Sequence, residues 1–198
     1  MLTARSRTGI AVVLLAAGIS ARMGAPKQLL RYKNQTLLRH VTGQALLSHA
    51  TFTCVVLGAE SARVRQELTD LPVAIVENLR WDEGMSTSIR TGLACIPESV
   101  QAAIIVLCDQ PLVSTGLLNT MMDVYVSSGK HIVACEYAGS LGVPALFDRS
   151  LFSELSQLSG DRGAKQIITQ HAVDVYRMPF PGGSVDLDTL SDFEHLTV

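Results

Sequence analysis

Apolar and polar positions along this chain fall into two alternating periods. Val12, Val13, Leu14 and Leu15 form an unbroken apolar run, which predicts a strand over Gly9 to Ala16 covered on both faces, as in a parallel sheet. From Thr36 to His49 the apolar residues Leu37, Leu38, Val41, Ala45 and Leu46 recur at helical spacing. A strand over Phe52 to Leu57 then ends at Gly58, Ser61 to Leu68 reads as a helix, and Val73 to Val76 as a third strand. The glycine and hydroxyl residues Gly84, Ser86, Thr87 and Ser88 predict a loop that caps a helix from about Ser88 to Cys95. Ala102 to Cys108 is the most apolar strand, and Ser114 is placed to cap a helix over Thr115 to Val126. After a strand at Ile132 to Cys135, the stretch Tyr137 to Phe147 carries Gly139, Gly142 and Pro144, and a return strand antiparallel to its neighbours is expected there. Helix signals at Ser150 to Leu158, a strand at Val173 to Tyr176 and a loop at Pro179 to Gly183 follow. Strand and helix in alternation define an α/β fold: a doubly wound, mostly parallel sheet with a small antiparallel β addition.

With 198 residues the chain is most simply one domain, residues 1–198, with Met1 to Thr8 as a loose leader. Apolar residues make up 47% and charged ones 17%, which excludes a disordered polymer. A net charge of −2 offers no basic face for DNA or RNA, so any cationic site must be local. The run from Val12 to Ala17 is far short of the roughly 20 residues of a membrane helix, and it leads into a charged loop; a cytoplasmic location is expected, without signal peptide or membrane partner. Cys54, Cys95, Cys108 and Cys135 are widely spaced with no Cys-x-x-Cys pair, three of them inside apolar runs, so they are expected to be buried free thiols. The histidines His40, His49, His131, His171 and His195 sit outside every motif and are expected on the surface or on helix faces.

Candidate chemistry is concentrated just past the first strand. Ala16, Ala17 and Gly18 leave the main chain open to a ligand, and Ser20, Arg22, Gly24 and Lys27 follow. Two cations on a glycine-bearing loop at the carboxyl end of a buried strand supply what a polyphosphate needs. The spacing is neither a P-loop, because five residues separate Gly18 from Gly24, nor a dinucleotide fingerprint, because Gly18 has no glycine two positions on. On spacing alone, an irregular loop with Arg22 and Lys27 facing solvent is the plain alternative. Asp109 directly follows the apolar strand Ala102 to Cys108, which sets a carboxylate at the sheet edge where open α/β folds bind ligands.

The string LAAGISARMGAPK, Leu15 to Lys27, resembles the signature L-A-[AG]-G-x-S-x-R-M-G-x-x-K of the molybdenum cofactor (MocA-like) cytidylyltransferases and of the MobA-like NTP transferases related to them. Ala16-Ala17, and Pro26 before Lys27, resemble the cytidylyl branch; the guanylyl branch usually carries Gly-Gly and an acidic residue at those places. Asn78, Trp81, Gly84, Met85, Ser86, Ser88 and Gly92 match a family segment beside the nucleotide. Cys108-Asp109-Gln110-Pro111 matches a family turn whose Asp binds Mg²⁺. Gly160 to Lys165 is similar to Gly-Asp-x-Gly-Ala-Arg, although Lys165 keeps the charge and loses the guanidinium fork. Asp186-Leu187-Asp188-Thr189 resembles the family's closing Asp-Ile-Asp-Thr.

The resemblance implies a Rossmann-like nucleotide-diphospho-sugar transferase (GT-A-like) fold and transfer of CMP from CTP to the phosphate of molybdopterin, with pyrophosphate released. Lys27, Arg22 and Asp109 would be catalytic; Leu15, Ala16, Ala17, Gly18, Lys27, Met85 and Ser86 would hold the nucleotide. Mg²⁺ would sit on Asp109 and Asp186, with Asp188 as the alternative, since alternation turns both carboxylates to one side of an extended segment. CTP and the molybdenum cofactor are the implied partners, with a molybdoenzyme that receives the product. Rival readings are a guanylyltransferase, a cytidylyltransferase for a sugar or polyol phosphate, and a non-catalytic module that delivers the cofactor.

Overall fold

The computed structural model describes residues 9–19 and 25–185; the expected leader at 1–8 lies outside them. Nine strands and six α-helices alternate through the described residues: β1 (Ile10–Ala16), β2 (Arg31–Tyr32), β3 (Gln35–Thr36), α1 (Leu37–Leu46), β4 (Phe52–Leu57), α2 (Ser61–Val64), β5 (Ala74–Glu77), α3 (Met85–Ala94), β6 (Ala102–Leu107), α4 (Thr115–Ser128), β7 (Ile132–Tyr137), β8 (Ser140–Asp148), α5 (Phe152–Ser156), α6 (Lys165–Gln170) and β9 (Val175–Pro179). Seven strands make one sheet in the order β5-β4-β1-β6-β8-β7-β9, and β2 with β3 forms a separate hairpin. Six of the seven run the same way; β8 alone is antiparallel, to β6 on one side and β7 on the other. The expected α/β fold, its parallel sheet and its antiparallel return strand are therefore present.

Burial explains the apolar runs. Every residue of β1 is buried, because its two faces enter different cores. Ile10, Val12 and Leu14 pack with Leu38 and Val41 of α1 and with Leu118, Met121 and Met122 of α4. Ala11, Val13 and Leu15 face the other way, onto Ile89 and Leu93 of α3, Leu155 of α5 and Ile167 of α6. A strand covered on both sides has no solvent face to alternate toward.

The connectivity creates the site. From β1 the chain builds outward through β4 to β5, then crosses back to add β6 on the opposite side of β1. At such a switch point the loops after neighbouring strands diverge and leave a crevice at their carboxyl ends.

Local differences from the expected elements have identifiable causes. The helix expected from about Ser88 starts at Met85, because Gly84, at φ 103°, makes the turn into the helix that no L-residue makes comfortably. The hydroxyl residues read as a capping loop are instead its buried first turn, where Thr87 and Ser88 accept from Asn78 Nδ2 at 2.8 and 3.0 Å. Ser61 to Leu68 divides into α2 and a 3-10 turn. The hairpin β2–β3 escaped the periodicity because its strands have two residues each; Lys33 and Asn34 turn it with φ of 47° and 66°. Helix α6 was not expected, and β9 begins at Val175 after a 3-10 turn over Ala172–Asp174. Ser114 caps α4 as expected, accepting from Leu117 N at 3.2 Å.

Candidate active site at the switch point

β1 and β6 are adjacent parallel strands, so the residues that follow them emerge side by side. After β1 come Ala17, Gly18 and Ile19; after β6 come Cys108 and Asp109. Between them lies a cleft of about 390 Å³ lined by Leu15, Ala16, Ala17, Gly18, Lys27 and Asp109, among others. Its opposite wall is Trp81, Asp82, Gly84, Met85 and Ser88 from the entry to α3, with Asp161 at the rim.

At the floor the Lys27 ammonium is paired with Asp109 Oδ2, and both side chains are largely shielded. The second carboxylate oxygen, Oδ1, is buried without a hydrogen-bond partner among the described residues. An anionic oxygen in that state carries a desolvation cost that a bound cation would offset. Among the described residues no three His, Cys, Asp or Glu side chains converge. One or two carboxylates, completed by phosphate oxygens and water, is the donor set Mg²⁺ prefers, so the floor fits such an ion.

The turn that carries Asp109 is held from two sides. Gln110 is buried and donates from Nε2 to the Val143 carbonyl at 3.0 Å, and the Tyr137 hydroxyl donates to the same oxygen at 2.9 Å. His40 of α1, expected at a helix face or the surface, is buried under the turn: its Nε2 donates to the Pro111 carbonyl at 3.1 Å. Burial lowers the His40 pKa, the Pro111 carbonyl bond opposes that shift, and the nearby Lys33 charge adds to it. Of the four cysteines, Cys54, Cys108 and Cys135 are buried and Cys95 is half-buried, all as free thiols. Burial raises the Cys108 thiol pKa, with the Asp109 charge adding to the effect, and burial pushes Cys135 up to about 12. Thiols held protonated in this way are inert packing groups.

On the far wall, backbone lies against backbone. A Cβ on Gly84 would collide with the carbonyl group of Gly160, and Ser86 N donates to that carbonyl oxygen at 3.2 Å. The Gly160 to Gly163 loop is thereby docked on the first turn of α3, which brings Asp161 to the cleft. A Cβ on Gly58 would lie 2.6 Å from the Trp81 Cβ and 2.7 Å from the Ala17 carbonyl oxygen. The bare glycine lets the only tryptophan close the cleft beside the β1 loop.

The structure thus gathers Leu15, Ala16, Ala17, Gly18, Lys27, Met85 and Asp109 around one cleft, whereas Ser86 is buried without a partner for its hydroxyl among the described residues. Ser88 reaches the cleft wall in its place. Lys165 opens α6 as an exposed residue. Arg22, Asp186 and Asp188 lie outside the described residues. Gln28 and His40 are among the side chains at the site that sequence patterns did not single out. Gln28 follows the signature lysine, and no pattern marks it as buried.

A switch-point cleft with a basic and an acidic side chain at its floor and a small-residue loop at its rim defines an α/β domain built to bind a phosphorylated ligand. The model of the MobA-like NTP transferase domain matches residues 12–175, and the chain belongs to that family. The curated nicotine blue oxidoreductase of Paenarthrobacter nicotinovorans is 30% identical over 93% of this chain and 94% of its own. The crystal structure of Rv0371c from Mycobacterium tuberculosis H37Rv is similar at 32% identity and a TM-score of 0.83, over 96% of this chain and 98% of that one. A manganese complex of the same mycobacterial protein gives 30% identity and a TM-score of 0.80 over the same shares.

Proposed function

We propose that this chain, read as one nucleotidyltransferase domain, moves CMP from CTP to the phosphate of molybdopterin and releases pyrophosphate. The observation that carries the reading is the paired Lys27 and Asp109 at the floor of the cleft, beneath the Ala16-Ala17-Gly18 loop. A phosphate monoester with a second pKa near 6 is largely ionised at neutral pH, so its oxygen attacks the α-phosphorus without a general base. The bond to the β-phosphate oxygen then breaks, and the leaving pyrophosphate takes the electron pair. That agrees with a lining that holds no histidine among the described residues. Catalysis is then positioning and charge stabilisation.

Asp109, with Asp186 or Asp188, would hold Mg²⁺, which supplies charge neutralisation on the phosphates when bound. Lys27 and Arg22 would meet the β and γ phosphates as negative charge accumulates on them. Leu15, Ala16 and Met85 would hold the base and ribose, with Ser88 at the wall where Ser86 was expected, and the backbone of Ala17 and Gly18 would meet the phosphates. Lys27→Ala is expected to lower kcat about 100-fold or more with a smaller change in KM, as for the loss of one preorganised charge-stabilising group; steady-state kinetics separates the two.

A second reading rests on the oxidoreductase relative. The cleft wall also carries Trp81, Met85 and the apolar Leu15 and Ile19, a surface suited to a flat ring system. The deciding experiment offers CTP, GTP, ATP and UTP separately with Mg²⁺ and molybdenum-loaded molybdopterin, follows pyrophosphate, and uses Asp109→Asn as control. A parallel reaction offers nicotine blue with NADH or NADPH. Release with CTP alone, lost in Asp109→Asn, supports cytidylyl transfer. Preference for GTP moves the chain to the guanylyl reading. Oxidation of the nicotinamide without pyrophosphate release supports the oxidoreductase.

A further inference from the structure

Among the described residues, the backbone that rims the cleft is one-sided in its hydrogen bonding. Gln28 Nε2 donates to the carbonyls of Ala16 and Gly18, at 2.9 Å each, and Ala59 N donates to the carbonyl between them, Ala17, at 3.1 Å. Three successive acceptors are therefore engaged. The N–H groups of Ala17, Gly18 and Ile19 meet no backbone acceptor among the described residues. A stretch whose carbonyls are tied back and whose amides are available is an anion cradle.

We infer that Gln28 is the positioning residue that keeps this loop in a donor-only state toward the phosphates of the proposed nucleotide. The inference deepens the nucleotidyl-transfer reading above and rests on it. Glutamine suits the task because its amide offers two donors from one nitrogen, and both are used. The side chain is 1% exposed, and its Oε1 has no partner among the described residues. A buried polar group left half-satisfied costs stability, so the two bonds it does make must hold something worth that cost.

The placement is specific to one short turn. Lys27–Leu29 is a 3-10 turn closed by Leu29 N to the Pro26 carbonyl at 3.0 Å and Leu30 N to the Lys27 carbonyl at 3.1 Å. Adjacent residues on it face opposite strand ends: Lys27 pairs with Asp109 after β6, and Gln28 holds the loop after β1. One turn thus sets both the cation and the amide cradle. Were the carbonyls released, a rotation of either peptide plane would point an oxygen at the phosphates in place of a hydrogen.

The test titrates inorganic pyrophosphate with Mg²⁺, and separately CTP, into the wild type, Gln28→Leu and Gln28→Glu, with melting temperatures recorded. Gln28→Leu removes both donors and is expected to weaken pyrophosphate and CTP roughly 10- to 100-fold, as for lost hydrogen bonds to charged groups. Gln28→Glu has the same shape; ionised it has no donor and a negative charge, and protonated, the form that burial against two carbonyls favours, it regains one donor. Its defect relative to wild type is expected to exceed that of Gln28→Leu at about pH 9 and to shrink as the pH falls. A purely structural side chain would lower the melting temperature and leave pyrophosphate and CTP binding unchanged. Equal binding by all three proteins overturns the inference. Absence of pyrophosphate and CTP binding in the wild type overturns the nucleotidyl-transfer reading itself. Should both variants fail to fold, nitrogen-15 spectra of the wild type decide: the Ala17, Gly18 and Ile19 amides shift on addition of Mg²⁺-pyrophosphate, and unmoved resonances overturn the inference.

Discussion

His40 stands one hydrogen bond away from the turn that carries the cleft-floor carboxylate. Its Nε2 is the donor to Pro111, so Nδ1 is left as an acceptor, and the Gln35 amide lies 3.5 Å from it. That tautomer is neutral, in keeping with a pKa lowered from 6.5 chiefly by burial. The linkage sign follows. As pH falls below about 6.5 the unfolded chain takes up a proton that the folded chain resists, so stability is present above that pH and declines below it. Urea unfolding of the wild type is expected to show falling stability between pH 7 and pH 5, with a shallower fall in His40→Gln. A steeper fall in the variant would contradict the assignment. Asp109 was legible as a carboxylate directly after an apolar run, and Lys27 as a cation on a glycine-bearing loop. His40 and Gln28 were not, because their importance lies in which carbonyl they reach, and reach across 71 and 10 to 12 positions is a property of the fold.

At the scale of elements, strands were legible wherever burial on both faces produced unbroken apolar runs. Phe52–Leu57 is observed with its expected bounds, and β6 differs by one residue. Boundaries set by a glycine or by a contact from elsewhere were harder to read. The start of α3 depends on Gly84 facing Gly160, a pair 76 positions apart (160 − 84). Gly84→Ala adopts a strained φ and pushes against the Gly160 carbonyl, so a loss of about 1–3 kcal/mol is expected by urea denaturation. An unchanged midpoint would show that the Gly160 loop moves aside at no cost. The cap of α4 is a milder device. Ser114→Ala removes the acceptor for Leu117 N and is expected to cost about 1 kcal/mol, with the fold and the cleft intact.

For the whole molecule, strand order is what converts local features into a site. Nothing in the sequence states that β6 returns to lie beside β1, yet that crossover sets Asp109 against Lys27, residues 82 apart in the chain. The alternation of strand and helix made a doubly wound sheet legible, and the switch point follows from its topology. No helix among the described residues is long and apolar enough to cross a membrane. The family assignment joins this cleft to NTP transferase domains, and the oxidoreductase relative shows that a chain 30% identical to this one carries a redox name. The fate of the α-phosphate separates the two chemistries. CTP labelled at the α-phosphorus, incubated with the enzyme, Mg²⁺ and molybdenum-loaded molybdopterin, is expected to leave its label on the acceptor, whereas CTP labelled at the γ-phosphorus leaves none there. An acceptor that stays unlabelled with every nucleotide, while nicotine blue is reduced at the expense of NADH or NADPH, would contradict nucleotidyl transfer.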